Sequence, residues 1–515
     1  MTSRRLVATA AARPVPVMNA GGVRGIVLCG ALITQWALVE GLLTPPAGLV
    51  TYSIVLAAYL AFEIRQQQHR TGPVFANPVV LTSIVSFLIP FSLSNFIFWL
   101  PSTMLEAVGT PVGITPWMND LMFLVVIAAC GLWVGYSSGL GRGLARKLRE
   151  SRLVRHLISA PTGMSQTAVS VCIGLSLAAR LVQLQLGIFG YGSDNDTLVA
   201  LAAYREYFYF VEVLGQWALI AIALDHYGPS RTSLRLGQWL WPVLGYEMVW
   251  GFLSGFKARV VIPMLLIALA HYVQRGRFPR WLAPALACGL VVAYAVIEPY
   301  RDLWNTGWGK GGIRGATSTI VDGLPRGSAT DSGVSTPLQV AARVNLTYFG
   351  SLGIEYAATS QLPAGSPDFL GNILWSPIYA VVPRLLWDAK PLNDSGNWYA
   401  REVRGVDSNT STAMSGVTYL NFAGGITAVV LGFLFVGMTH RVLFDGLRGL
   451  GPGAWLVLIG LLPTLIQFES TFEAFPIGIM RQLPLLLAAQ YFLFPTPARS
   501  GAAARIQPRP TPTAA

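Results

Sequence analysis

Charge is scarce in this chain. Of its 515 residues only 12% are Asp, Glu, Lys or Arg, against roughly a quarter in a soluble globular protein. With 53% hydrophobic residues and a mean hydropathy of +0.52, an ordinary water-soluble domain is excluded. Cysteine is scarce as well. Cys29, Cys130, Cys172 and Cys288 all fall inside apolar runs, without a CxxC pair or metal-ligand spacing. Neither a disulfide framework nor a zinc site is indicated, and no metal or cofactor is expected. There are no heptads and no short-period repeats. The N-terminal MTSRRLVATAAARPVP does not read as a cleavable signal peptide, so the first apolar segment is expected to be a retained span.

Long apolar runs are what the chain does have, from end to end. They predict an all-α fold, a polytopic transmembrane helical bundle of about twelve spans. The spans are expected near 24–42, 48–63, 78–99, 120–140, 166–186, 206–227, 237–255, 259–274, 281–298, 418–438, 453–468 and 475–494. About nine of them fall in 1–298 and three in 418–494. Between these lies the large extracytoplasmic or interfacial segment 299–417. A structureless loop of that length is improbable, and LQVAARVNLTYFGSLGIEYAATS and FLGNILWSPIYAVVPRLLW within it read as partly apolar, amphipathic helices at the outer interface. The Pro- and Ala-rich tail 495–515 is expected to be disordered and cytoplasmic.

The net charge is +12. Most of the excess sits in short loops between spans, which is a topology signal rather than a nucleic-acid footprint, and membrane lipid is the expected surroundings. RGLARKLRESRLVRH (142–156) is the strongest basic block and should be cytoplasmic. Counting outward from it puts both termini in the cytoplasm of an inner membrane. His69, His156, His226, His271 and His440 then fall on the cytoplasmic side, leaving no outer histidine as a general base.

Some cations have no topological reason to exist. Lys257, Arg259, Arg301, Arg343, Arg384 and Lys390 fall outside, against the positive-inside bias. Lys257 and Arg259 sit in the tight turn SGFKAR, and EPYRD places Glu298, Arg301 and Asp302 at the same depth. FESTFE brings Glu469 and Glu473 to the outer end of the eleventh span. Arg grips phosphate with parallel donors and Lys supplies a point charge, so converging outward cations suit an anionic lipid-linked substrate, above all a pyrophosphate. The bland readings are ion pairing (Arg301 with Glu298 or Asp302), snorkelling (Lys257, Arg259) and interfacial anchoring (Arg384, Lys390, Trp387). Arg180, Glu212 and Glu247 lie within spans, where a charge faces a partner or a polar path.

VVPRLLWDAKPLND (381–394) resembles the proline–arginine … lysine–proline segment of the Wzy-type O-antigen and oligosaccharide repeat-unit polymerases. SGFKAR resembles their short basic turn between spans. VTYLNFAGGITAVVLGFLF (417–435) resembles the following span, with Ala423 where a glycine usually follows Asn-Phe. The resemblance covers about 250–440. It implies a membrane glycosyltransferase without cofactor, which joins polyprenyl-pyrophosphate-linked glycan units at the outer face of the cytoplasmic membrane. Partners would include a chain-length regulator and a flippase. Carried over by motif position, Lys257, Arg259, Arg384 and Lys390 become site residues, and Arg301 and Arg343 join them by placement. In the implied chemistry Arg259, Arg301 and Arg384 stabilise the departing pyrophosphate, while Glu298, Asp302 or Asp388 assists the attacking hydroxyl. Lys257, Arg343, Lys390, Asp302 and Trp387 would hold the substrate. Alternatives are an O-antigen ligase or other lipid-linked-sugar glycosyltransferase, a polysaccharide or lipid transporter, and a structural assembly subunit.

Overall fold

The computed structural model describes residues 20–70, 73–107, 113–158, 164–190, 201–228, 237–289, 336–363, 365–387, 390–391, 395–406, 412–469 and 471–494. Among these every regular element is helical. Eight helices are long and apolar enough to cross a membrane. They cover the expected spans at 24–42, 48–63, 78–99, 120–140, 166–186, 206–227, 259–274 and 418–438. Of the other four expected spans, three do not reach that standard among the described residues and one lies partly outside them. The span at 237–255 is a 14-residue helix, Leu240–Leu253, and that at 453–468 is a 15-residue helix, Pro452–Ile466. Ala474–Leu493 is long but carries Arg481, Gln482 and Gln490. The span at 281–298 is described only to residue 289. The first helix, α1 (Ala20–Val39), exposes Ile26, Leu32, Ile33 and Trp36, the surface expected of a helix facing lipid.

The bundle is organised around two parallel helices, α2 (Pro116–Ser137) and α3 (Gly416–Leu447). Their seam is made of glycine. A Cβ at Gly135 would stand 2.0 Å from the Leu434 carbonyl oxygen, and one at Gly437 1.9 Å from that of Leu132. The backbones can meet this closely only because neither residue has a side chain, the small-residue contact on which membrane helices rely. Trp133, Tyr136, Phe433 and Phe444, all fully buried, fill the space on either side.

Two helices depart from regular winding for local reasons. In Pro78–Trp99, Pro90 removes a backbone donor; Ser83–Leu88 widens into a π turn and Leu93–Trp99 tightens into 3-10 geometry. In α3, Gly424 and Gly425 break the helix, and Gly425 adopts φ +62°, a conformation that favours glycine.

Helix α4 (Pro452–Ile466) ends inside the bundle, and its last carbonyls have no intrahelical partner. Thr82 donates to the Leu465 carbonyl at 3.3 Å and Ser86 to that of Ile466, while His440 Nε2 lies 3.0 Å from the Leu465 oxygen. His440 is therefore an interior residue, fully buried, within a helix longer than the expected span. Helix α3 runs on to Leu447, nine residues beyond that span.

The contacts also sort segments between the two ends of the bundle. At one end the basic helix Gly139–Glu150 packs on the end of α3, where Arg149 donates to the Asp445 carbonyl and Asp445 pairs with Arg441 and Arg448. Gln490 reaches the Leu157 carbonyl there, and Asn77 reaches Tyr136. At the other end Asn345 donates to Ser94 and Asn95, and Thr347 donates to Asn95, closing a buried polar knot. Gly350 lies against Leu121, and Tyr399 donates to the Phe349 carbonyl. The described part of 336–415 thus packs at the end opposite the basic helix. Burial pushes the phenol of Tyr399 up, so it remains a neutral donor.

Candidate functional site

Four helices near the middle of the chain enclose charge. They are α5 (Gln166–Gln185), α6 (Ala202–Glu212), α7 (Leu240–Leu253) and α8 (Lys257–Arg275). The end of α5 and the α7–α8 turn meet, because Gly190 lies directly on the Ser254 backbone. That turn is the SGFKAR stretch. It ends in the first residues of α8, where Lys257 and Arg259 stand at the positive end of the helix dipole.

From α5, Arg180 grips Glu247 of α7 with both terminal nitrogens, at 3.1 and 2.7 Å. Only 3% of the Arg180 side chain and 1% of the Glu247 side chain are exposed, so both charges have left water and depend on each other. The Arg180 guanidinium also lies over the Tyr246 ring at 5.0 Å and the Trp250 ring at 6.0 Å. Gly215 admits the Glu247 carboxylate: a Cβ there would stand 2.2 Å from Oε1. Glu212, at the end of α6, takes a 2.6 Å ion pair from Arg259 and stands 3.8 Å from Arg180 Nε. Gln183 adds a 3.5 Å bond to Glu212. Two cations and two anions thus form one chain, Glu247–Arg180–Glu212–Arg259. It is sealed at Glu247 and open at Arg259, whose side chain is 30% exposed.

The second cationic segment folds on itself. Arg384 donates to the carbonyls of Lys390 and Pro391 at 2.7 and 2.9 Å, and the Lys390 ammonium, buried, donates to that of Val382 at 3.0 Å. Both cations satisfy carbonyls just beyond the helix Phe369–Val381, as cations at helix C-termini do. Lys390 thus turns inward rather than standing as an interfacial anchor. Trp387 packs on Tyr379, with ring centroids 5.7 Å apart. Arg481, from Ala474–Leu493, completes the capping by donating to the Tyr379 and Ala380 carbonyls.

These two cationic segments share a neighbour, because the Arg384–Leu386 turn packs against α6, the helix that carries Glu212. Arg343 is exposed near the end of Thr336–Val344. Glu298, Arg301, Asp302 and Asp388 lie outside the described residues. Glu473 does not join Arg259. It is buried against Tyr419, which donates to its carboxylate, and Ser395 at 3.5 Å. Glu469 is exposed. Among the described residues no cluster of His, Cys, Asp and Glu is placed to hold a metal ion.

Sequence reasoning noticed Arg180, Glu212 and Glu247 as charges in apolar runs but did not join them to Arg259. The signal available was a balance: two acids and one base on consecutive apolar segments, followed by a second base at the next turn. The chain matches no protein family, and searches of curated proteins and of solved structures return no match.

Proposed function

We propose that this chain is a membrane glycosyltransferase that polymerises polyprenyl-pyrophosphate-linked oligosaccharide units at the outer face of a cytoplasmic membrane. The observation that carries this reading is Arg259. It is a partly exposed guanidinium at a helix N-terminus, held in place by a carboxylate that is itself buried. A cation oriented by burial on one side and open on the other suits a pyrophosphate better than a surface salt bridge does. The Arg384 turn packs on the helix that carries Glu212, the partner of Arg259.

In the chemistry proposed, the bond from the donor's anomeric carbon to the pyrophosphate oxygen breaks, and the electron pair leaves with the phosphate. Arg259 and Arg384 stabilise that charge, with Arg301 as a third candidate. An acceptor hydroxyl forms the new glycosidic bond and gives its proton to a carboxylate, for which Glu298, Asp302 and Asp388 are the candidates. Lys257, Arg343 and Trp387 would hold the glycan-lipid, while Lys390, buried on the Val382 carbonyl, would support the Arg384 turn. The proposal includes about twelve spans, cytoplasmic termini, and a flippase and a chain-length regulator as partners.

The transport alternative used Arg180, Glu212 and Glu247 as a path. Their enclosure in mutual ion pairs gives them a different occupation and favours the enzyme. Cells in which Arg259→Gln replaces the native residue should assemble single lipid-linked units but no long polymer. A normal ladder of chain lengths from a correctly inserted variant would overturn the assignment.

A further inference from the structure

The Glu247–Arg180–Glu212–Arg259 chain contains one imperfection. Arg180 Nε is buried and donates to no acceptor, although Glu212 Oε1 lies only 3.8 Å away. A buried donor without an acceptor is costly and rare. Here it sits beside a carboxylate already engaged by another guanidinium, since the same Oε1 takes the 2.6 Å pair from Arg259. A shift of about 1 Å would bring Glu212 into hydrogen-bond range of Arg180 Nε.

We propose that Glu212 is a latch on an anion site: an incoming pyrophosphate displaces it from Arg259, and the released carboxylate is received by the vacant Nε–H of Arg180. Without a receiver, binding an anion at Arg259 would strand a buried carboxylate, which costs far more than a surface ion pair yields. With the receiver, one charge-assisted bond is exchanged for another, and Arg180 then bridges both carboxylates. The Arg180–Glu247 pair keeps the receiver fixed, because its two terminal nitrogens stay with Glu247 while Nε faces Glu212. Arg259 is the binding residue and Glu212 and Arg180 are positioning residues. This inference rests on the reading of Arg259 as a pyrophosphate contact.

The test is titration calorimetry on the full chain in lipid nanodiscs, with farnesyl pyrophosphate and inorganic pyrophosphate as separate probes. The first reports a lipid-borne anion and the second a free one. Glu212→Gln removes the competitor and should bind farnesyl pyrophosphate about tenfold more tightly. Arg180→Lys keeps the charge and the partner for Glu247 but lacks Nε–H; it should weaken binding about tenfold. In the double variant Arg180→Lys should have no effect, because there is no carboxylate left to receive.

A purely structural Glu212 predicts the opposite sign, with looser binding in Glu212→Gln. That result, or an equal Arg180→Lys effect in both backgrounds, overturns the latch. Should Arg180→Lys fail to fold, the sign of the Glu212→Gln change decides alone. Arg259→Gln separates the two levels. If its binding equals that of the native chain, the pyrophosphate reading itself falls; if it loses binding while Glu212→Gln changes nothing, only the latch falls. Tighter binding of inorganic than of farnesyl pyrophosphate would assign the site to a free anion and overturn the lipid-linked reading.

Discussion

Glu247 is the residue on which the site's geometry rests most heavily, because its loss would leave both terminal nitrogens of the buried Arg180 guanidinium without their acceptor. Breaking a buried pair by removing one member costs about 3–5 kcal/mol, whereas replacing both members with apolar residues of similar volume is often neutral or stabilising. Glu247→Leu should therefore lower the thermal midpoint markedly, and Arg180→Met with Glu247→Leu should restore it; a scan in detergent or nanodiscs reads both. Arg384 offers a second residue-scale prediction. Its guanidinium forks between two carbonyls, and a lysine cannot reproduce that fork. Arg384→Lys should therefore impair polymer formation nearly as much as Arg384→Ala; full polymer from the lysine variant would show that charge alone suffices. At this scale the sequence displayed the charges but not their pairing, since Arg180 and Glu247 stand on different helices and no local spacing links them.

Among elements, helices were legible where they are long and uniformly apolar, and hydropathy found all eight that qualify as spans. It did not show how a helix end inside the bundle is satisfied. The end of α4 is capped by Thr82, Ser86 and His440, side chains from distant parts of the chain that no window on α4 contains. The break in α3 was present in the sequence as adjacent glycines and was read there as a family motif rather than as a hinge. Its conformation is specific: Gly425 at φ +62°, ψ −151° lies in a region essentially restricted to glycine and would cost an L-residue about 1–3 kcal/mol. Gly425→Ala should lower stability by that amount and shift the direction of the Gly416–Ala423 half-helix, which carries Tyr419 against Glu473. Distance measurements between spin labels on the two halves would detect the change, and an unaltered distance would count against the hinge.

For the whole molecule, the basic helix at one end and the polar knot at the other make a claim about sidedness. Arg146 and Arg343 are both exposed and sit at opposite ends. In a cysteine-free background, Arg343→Cys should react with an impermeant maleimide from outside intact cells, and Arg146→Cys only after permeabilisation. Labelling of both from the same side would refute the orientation. The expected side of 336–415 rests on a charge bias that alternates from loop to loop. The number of spans was not legible, since short and polar helices such as Leu240–Leu253 and Ala474–Leu493 owe their burial to neighbours and not to their own hydropathy.

The glycine seam between α2 and α3 also sets a schedule. Gly131 meets Val430 across about 300 residues of chain, so at roughly 5–20 residues per second the first of these helices waits ~15–60 s in the membrane for its partner to be made. During that interval its flat, glycine-lined flank is open to any other helix. A nascent chain stalled before residue 416 should therefore be cleared by membrane proteolysis rather than accumulate, and the fold is in this sense decided by the last fifth of translation.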